Sequence, residues 1–233
     1  MGKIITIEVE NKEQAAEKVV GLLREELEAN RLHVLGLATG STMEPVYEKV
    51  VASDLDFTDV ITFNLDEYVG IPEDNKNSYA YYMHDRLFSK KPFKVTHIED
   101  GMAQYLDAEC ERYEALLKEN PRDIQLLGIG ENGHIAFNEP GTPYDSVTHV
   151  VELTKSTLAV NSQYFNEDET MPLTALTMGI SSLMNSKKLL LLAFGEKKRS
   201  ALEKLFAGEI TSDWPVTYLL NHPDVTVITD LKL

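Results

Sequence analysis

The feature that most constrains the fold is an alternation of short, continuously apolar runs with stretches of helical spacing. "HVLGLA" (33–38), "DVITFNL" (59–65), "IQLLGIG" (124–130), "KLLLLAF" (188–194) and "DVTVIT" (224–229) read as strands with no polar face. Between them lie amphipathic stretches. "KEQAAEKVVGLLREELEAN" repeats Ala15, Val19, Leu22, Leu23 and Leu27 at helical intervals, and "EPVYEKVVA", "SYAYYMHDRLF", "AQYLDAECERYEALLKEN" and "EKKRSALEKLF" follow the same rule. Strands that are apolar on both sides must be covered on both sides. The pattern therefore predicts an α/β fold, a mainly parallel sheet with helices on both faces. "KIITIEV" alternates and reads as an edge strand; "KVTHIE" and "TALTMGI" complete the set. No repeat, low-complexity segment or Pro/Gly/Ser linker divides the chain, so one domain over residues 1–233 is expected.

In open α/β sheets ligands bind beyond the carboxyl ends of the strands. That directs attention to the loops after "HVLGLA", "ITFNL", "IQLLGIG" and "LLLLAF". What they hold is limited by charge: 38 acidic against 22 basic residues give a net charge of -16. Such a field repels nucleic acid and anionic membranes, so an anionic ligand needs a local site. A single cysteine, Cys110, excludes a disulfide framework and a cysteine-rich zinc site. The N-terminus lacks the apolar core of a signal peptide, and "LLLLAF" is too short to span a membrane. "MGKIIT" fits a loose myristoylation pattern, but its alternation reads better as strand. A cytoplasmic protein is expected.

"GIGENGHIAFNEPG" (128–141) opens as G-x-G-x-x-G, the dinucleotide fingerprint. That motif needs a helix directly behind it to receive the pyrophosphate. Here Asn138, Pro140 and Gly141 break any helix in its first turns, so the dinucleotide reading is rejected. The glycines instead flank His134, with Asn132 two residues before and Glu139 five after. A turn through Asn138–Gly141 would bring the carboxylate back to the imidazole and prepare it for acid/base work. No H-x-x-x-H or H-E-x-x-H pair occurs among the six histidines, which argues against a metal site.

"ATGST" (38–42) precedes a helix carrying Glu44 and Pro45. Gly40 with Thr39, Ser41 and Thr42 has the parts of a phosphate cradle, or Ser41 and Thr42 simply cap the helix. In "NLDEY" (64–68), Asp66 and Glu67 are adjacent acids at a strand's carboxyl end, in a catalytic loop or a solvated turn. Lys197, Lys198 and Arg199 open a helix against its dipole, which suggests an anion nearby or a solvated face.

Together "LATGST", "FNLDEYVGI", "LLGIGENGHIAFNEPGT", "TALTMGI" and "FGEKK" resemble the glucosamine-6-phosphate deaminase family in order and spacing, over nearly the whole chain. The resemblance implies a modified Rossmann-like fold that uses no cofactor, nucleotide or metal. It implies conversion of glucosamine 6-phosphate and water into fructose 6-phosphate and ammonia. Asp66 would then move the proton between C2 and C1, and His134, with Asn132 beside it and Glu139 as charge partner, would open the sugar ring. Thr39, Gly40, Ser41, Thr42 and Lys198 would hold the phosphate. Many relatives have aspartate at Asn132 and arginine at Gln163. The first change makes His134 easier to deprotonate, and the second leaves more of the anion to Lys198 and the hydroxyl loop. Allosteric relatives are longer and carry a basic pair where this chain has His149 and Val151, so hyperbolic kinetics are expected. A monomer or small homo-oligomer is expected as well. The rival readings are a phosphogluconolactonase of the same fold and a non-catalytic sugar-phosphate sensor.

Overall fold

The computed structural model describes residues 2–154, 157–159, 165 and 170–233. Its main sheet has seven strands, all parallel, in the order β1-β10-β9-β6-β2-β3-β5. These are β1 (Lys3–Glu8), β2 (Val34–Leu37), β3 (Phe57–Asn64), β5 (Phe93–His97), β6 (Arg122–Leu127), β9 (Ser186–Ala193) and β10 (Asp224–Thr229). The fully apolar runs occupy the middle. Every residue of β2 and β6 is buried, while β1 lies at the edge with Ile5 exposed.

Helices cover the sheet: α1 (Lys12–Glu28), α2 (Glu44–Ala52), α3 (Tyr79–Met83), α4 (Leu106–Glu119), α5 (Ile180–Met184) and α6 (Arg199–Phe206). Helix α1 starts where the Asn11 side chain accepts the Gln14 N–H at 2.9 Å. It seats Ala15, Ala16, Val19 and Leu23, all buried, with Leu22 and Leu27 packed at the margin. Burying a side chain such as Leu23 contributes roughly 1.5–3 kcal/mol.

The strand order reverses at β2 and β6, which pair through Leu35 with Ile124 and Gly36 with Gln125. From β2 the chain runs outward through β3 and β5, and from β6 it runs the other way through β9 and β10. The loops leaving β2 and β6 therefore diverge and open a crevice between residues 38–42 and 128–134, the place such sheets bind ligands.

A second sheet was not legible in the sequence pattern. It is antiparallel, in the order β4-β8-β7, and joins β4 (Asp66–Tyr68), β8 (Thr174–Thr177) and β7 (His149–Glu152). Asp66 and Glu67 thus sit on a strand rather than in a loop, and "TALTMGI" belongs to this sheet rather than to the parallel one. Strands of three and four residues are too short to show a period. A satellite core of Tyr68, Ile71, Phe137, Leu153 and Ala175 packs on them.

Candidate active site

Behind β6 no helix follows the glycines. Residues 128–148 form turns, with an isolated bridge between Ile135 and Asn138. Gly130 N–H donates to the His134 carbonyl at 2.9 Å, and a Cβ on Gly130 would lie 2.2 Å from the His134 ring. The glycine is there because the imidazole folds back over it. The Asn138 side chain donates to the carbonyls of Ile135 and Met178, at 2.9 and 2.8 Å, and locks the turn that returns Glu139 toward His134.

The carboxylate does not reach the imidazole directly. Glu139 Oε2 stands 3.7 Å from His134 Nδ1, and the Asn132 amide lies between them. Asn132 Nδ2 donates to Glu139 Oε2 at 2.7 Å, so its Oδ1 faces His134, accepting the backbone N–H at 3.2 Å and meeting Nδ1 at 2.8 Å. An amide whose NH₂ is claimed by a carboxylate has only an acceptor left for the ring. Nδ1 must then carry the proton, and neutral His134 keeps a lone pair on Nε2. Burial pulls the imidazole below its ordinary pKa; Glu139 opposes this and Lys198 adds to it. Asn132 is therefore the relay between carboxylate and ring. Glu139 is itself fixed by Thr157 and Thr154, whose hydroxyls donate to Oε1 at 2.5 and 3.1 Å.

Asp66 is buried, and burial, then the adjacent Glu67, pushes its carboxyl up to about 8. Strand alternation turns Glu67 the other way. There it accepts the N–H groups of Tyr68, Tyr79 and Ala80 at 2.8, 3.0 and 2.8 Å, at the start of α3. Burial lifts Glu67 to about 7 against those three donors. Glu67 is occupied with structure, and Asp66 is the carboxyl left for chemistry. β8 ties Asp66 to the histidine turn. Asp66 pairs with Thr177, whose hydroxyl accepts the Phe137 N–H at 3.1 Å, and Met178 N–H donates to the Leu65 carbonyl at 2.7 Å.

Across the crevice, Gly40 adopts φ +94°, and the start of α2 has no side-chain cap. Ser41 and Thr42 therefore do not cap that helix. Among the described residues the N–H groups of Gly40, Ser41 and Thr42 find no hydrogen-bond acceptor, as an anion cradle requires. Of the basic trio, Lys197 pairs with Glu131 at 3.3 Å, and Arg199 pairs with Glu196 at 2.6 Å. Lys198, on a 3-10 turn (Glu196–Lys198), has no ion pair among the described residues; burial, the larger influence, and Lys197 and Lys12 lower its pKa. Its charge adds to the lowering of the His134 pKa. Gln163 lies outside the described residues.

Sequence reasoning missed Thr154, Thr157 and the α3 contacts of Glu67, because no local pattern announces partners more than ten residues away. A groove of about 600 Å³ between α4 and β7, lined by Cys110, Glu114, Lys118 and Thr148 among others, holds none of the site residues. Its Glu114 is consumed by Thr148 and Ser182. Among the described residues no group of three or more His, Cys, Asp or Glu could hold a metal ion.

A family model of glucosamine-6-phosphate isomerases and 6-phosphogluconolactonases matches residues 8–228. Glucosamine-6-phosphate deaminase of Enterococcus faecalis is 50% identical over 96% of this chain and 96% of its own. That of Lactobacillus helveticus is 48% identical over 96% and 93%. The solved structure of a monomeric glucosamine-6-phosphate deaminase, 41% identical, superposes with a TM-score of 0.91 over 97% of this chain and 96% of that one. A 6-phosphogluconolactonase from Thermotoga maritima, 22% identical with a TM-score of 0.77 over 98% and 99%, shares the fold.

Proposed function

This chain belongs to the glucosamine-6-phosphate isomerase/6-phosphogluconolactonase family, and from that premise we propose that it is a glucosamine-6-phosphate deaminase. It converts glucosamine 6-phosphate and water into fructose 6-phosphate and ammonia, a C–N bond hydrolysis that runs through an aldose–ketose isomerisation. The observation that carries the assignment within the family is the Glu139–Asn132–His134 relay, which leaves Nε2 as a base, together with the buried Asp66.

In our reading the phosphate rests on the free N–H groups and hydroxyls of residues 39–42 and on Lys198. His134 Nε2 takes the proton of the anomeric hydroxyl and returns one to the ring oxygen, which opens the pyranose. Asp66 then removes the proton on C2 and delivers it to C1 through an enolamine. The C2 imine this leaves takes up water and loses its nitrogen as ammonia, giving fructose 6-phosphate. A carboxyl with a pKa of about 8 is matched to this task, since it can both accept and return a proton near neutral pH. Holding substrate by a remote anion orients C2 toward the carboxylate. A lactonase would need neither the buried Asp66 nor the Glu139 turn. We also propose that the chain acts as a monomer or small homo-oligomer, in line with the monomeric deaminase it resembles.

The test is ammonia release from glucosamine 6-phosphate by purified, chelator-treated protein, beside hydrolysis of 6-phosphogluconolactone. Ammonia without lactone hydrolysis is expected, and the reverse would make the chain a lactonase.

A further inference from the structure

Two tyrosines hold the loop that carries the free N–H groups. The buried Tyr47 hydroxyl donates to the Ala38 carbonyl, and the Tyr82 hydroxyl donates to the Gly40 carbonyl at 2.9 Å. Their rings meet edge to face, 6.4 Å apart at 66°. The Gly40 carbonyl accepts a second bond from Met43 N–H at 3.0 Å, so it is held from both α2 and α3.

Tyr47 belongs to α2, next to the loop in sequence. Tyr82 comes from α3, forty-two residues away. The opening residues of α3 are held by Glu67, whose carboxylate takes the N–H groups of Tyr79 and Ala80, while the Ser78 hydroxyl accepts the Tyr81 N–H at 2.9 Å. One short helix is thus bonded at its start to the neighbour of Asp66 and at its end to the phosphate loop.

Resting on the function proposed above, we propose that Tyr82 is a positioning residue. With Glu67 it makes α3 a strut that sets the separation between the phosphate loop and the Asp66 carboxylate. The phosphate is at C6 and the proton to be moved is at C2, so the spacing of the two protein sites decides whether C2–H meets the carboxylate. Displacements of about 1 Å at such sites cost on the order of 100-fold in rate. Removing the strut should leave the loop able to hold phosphate but unable to aim the sugar, so the damage falls on kcat.

Tyr82→Phe deletes only the hydroxyl and keeps the ring against Tyr47. Steady-state kinetics with glucosamine 6-phosphate would be measured beside competitive inhibition by inorganic phosphate, which reports the loop alone. Expected is a fall in kcat of about tenfold or more, with the phosphate inhibition constant within about twofold of wild type. Glu67→Gln, at the other end, should give the same signature. The double variant should be little worse than the poorer single one, because both break one connection. Unchanged kcat in Tyr82→Phe, a phosphate constant that rises in step with the lost activity, or additive losses in the double variant would each overturn the proposal. Wild-type protein that releases no ammonia would instead sink the functional assignment, and the two failures are distinguishable in the same assay.

Discussion

Asp66 is buried away from the water that would stabilise its charge, and in the proposed mechanism it is the residue on which the chemistry turns. Asp66→Asn should lower kcat by roughly 10²–10⁴-fold while phosphate binding persists, since residues 39–42 are untouched. Activity requires the ionised form, so kcat/KM should climb with pH toward about 8. Carbon NMR of the free protein should find a carboxyl titrating there that is missing in Asp66→Asn; a titration near 4 would contradict the assignment. Glu99 makes a separate prediction. It is buried, and its carboxylate oxygens find no partner in another described residue. Burial, opposed by its own backbone N–H and reinforced by Asp66, Glu67 and Glu109, raises its pKa well above the ordinary value. The folded state therefore holds a proton the unfolded chain releases. The stability this gives is complete below about 4.5 and is lost as pH rises toward the folded pKa. Glu99→Leu should consequently unfold at a higher temperature than wild type, by a margin that widens from about pH 5 to about pH 8. A margin constant with pH would show that Glu99 is ionised in the fold. At this scale the site was partly legible. His134, Glu139 and Asn132 lie within eight residues of one another, so their grouping shows in the sequence. The buried Glu99 and the threonines on Glu139 depend on segments that meet only after folding.

The elements divide the same way. Long elements announced themselves, because burial on one stripe or on both faces leaves a period of adequate length; α1, β6 and β9 are where the pattern put them. The π-turn (His84–Phe88) behind α3 and the three-stranded sheet did not, since no period fits into three to five residues. Yet β4 is the element that makes "NLDEY" a buried strand carrying two carboxyls rather than a solvated turn. The turn carrying His134 supports an element-scale prediction. Ring opening precedes proton transfer, so His134→Gln should recover activity on a substrate analogue supplied in open-chain form, whereas Asp66→Asn should not. Equal losses of His134→Gln on cyclic and open forms would remove His134 from that step.

For the molecule as a whole, the acidity and the parallel sheet were readable in advance, and the net charge of -16 explains why the anion site must be local. No helix among the described residues is long and apolar enough to cross a membrane. Regulation by a second phosphosugar would need a site that distinguishes two states. Where allosteric relatives are expected to carry a basic pair, β7 presents His149, whose Nδ1 lies 2.8 Å from the Val147 carbonyl, and Val151. The basic pair that would hold such a phosphate is absent from these two positions. Rate-versus-substrate curves should be hyperbolic, and N-acetylglucosamine 6-phosphate should act only as a weak competitor; a sigmoidal curve that it straightens would reveal an allosteric site. The central claim is that Asp66 moves a proton at the sugar's C2, and it is tested most directly in heavy water. Wild-type protein incubated with fructose 6-phosphate and ammonia in deuterated solvent should place deuterium at C2 of the glucosamine 6-phosphate formed, and Asp66→Asn should place none. Deuterium at C2 in the mutant at the wild-type rate would assign the proton transfer to another residue and contradict the account.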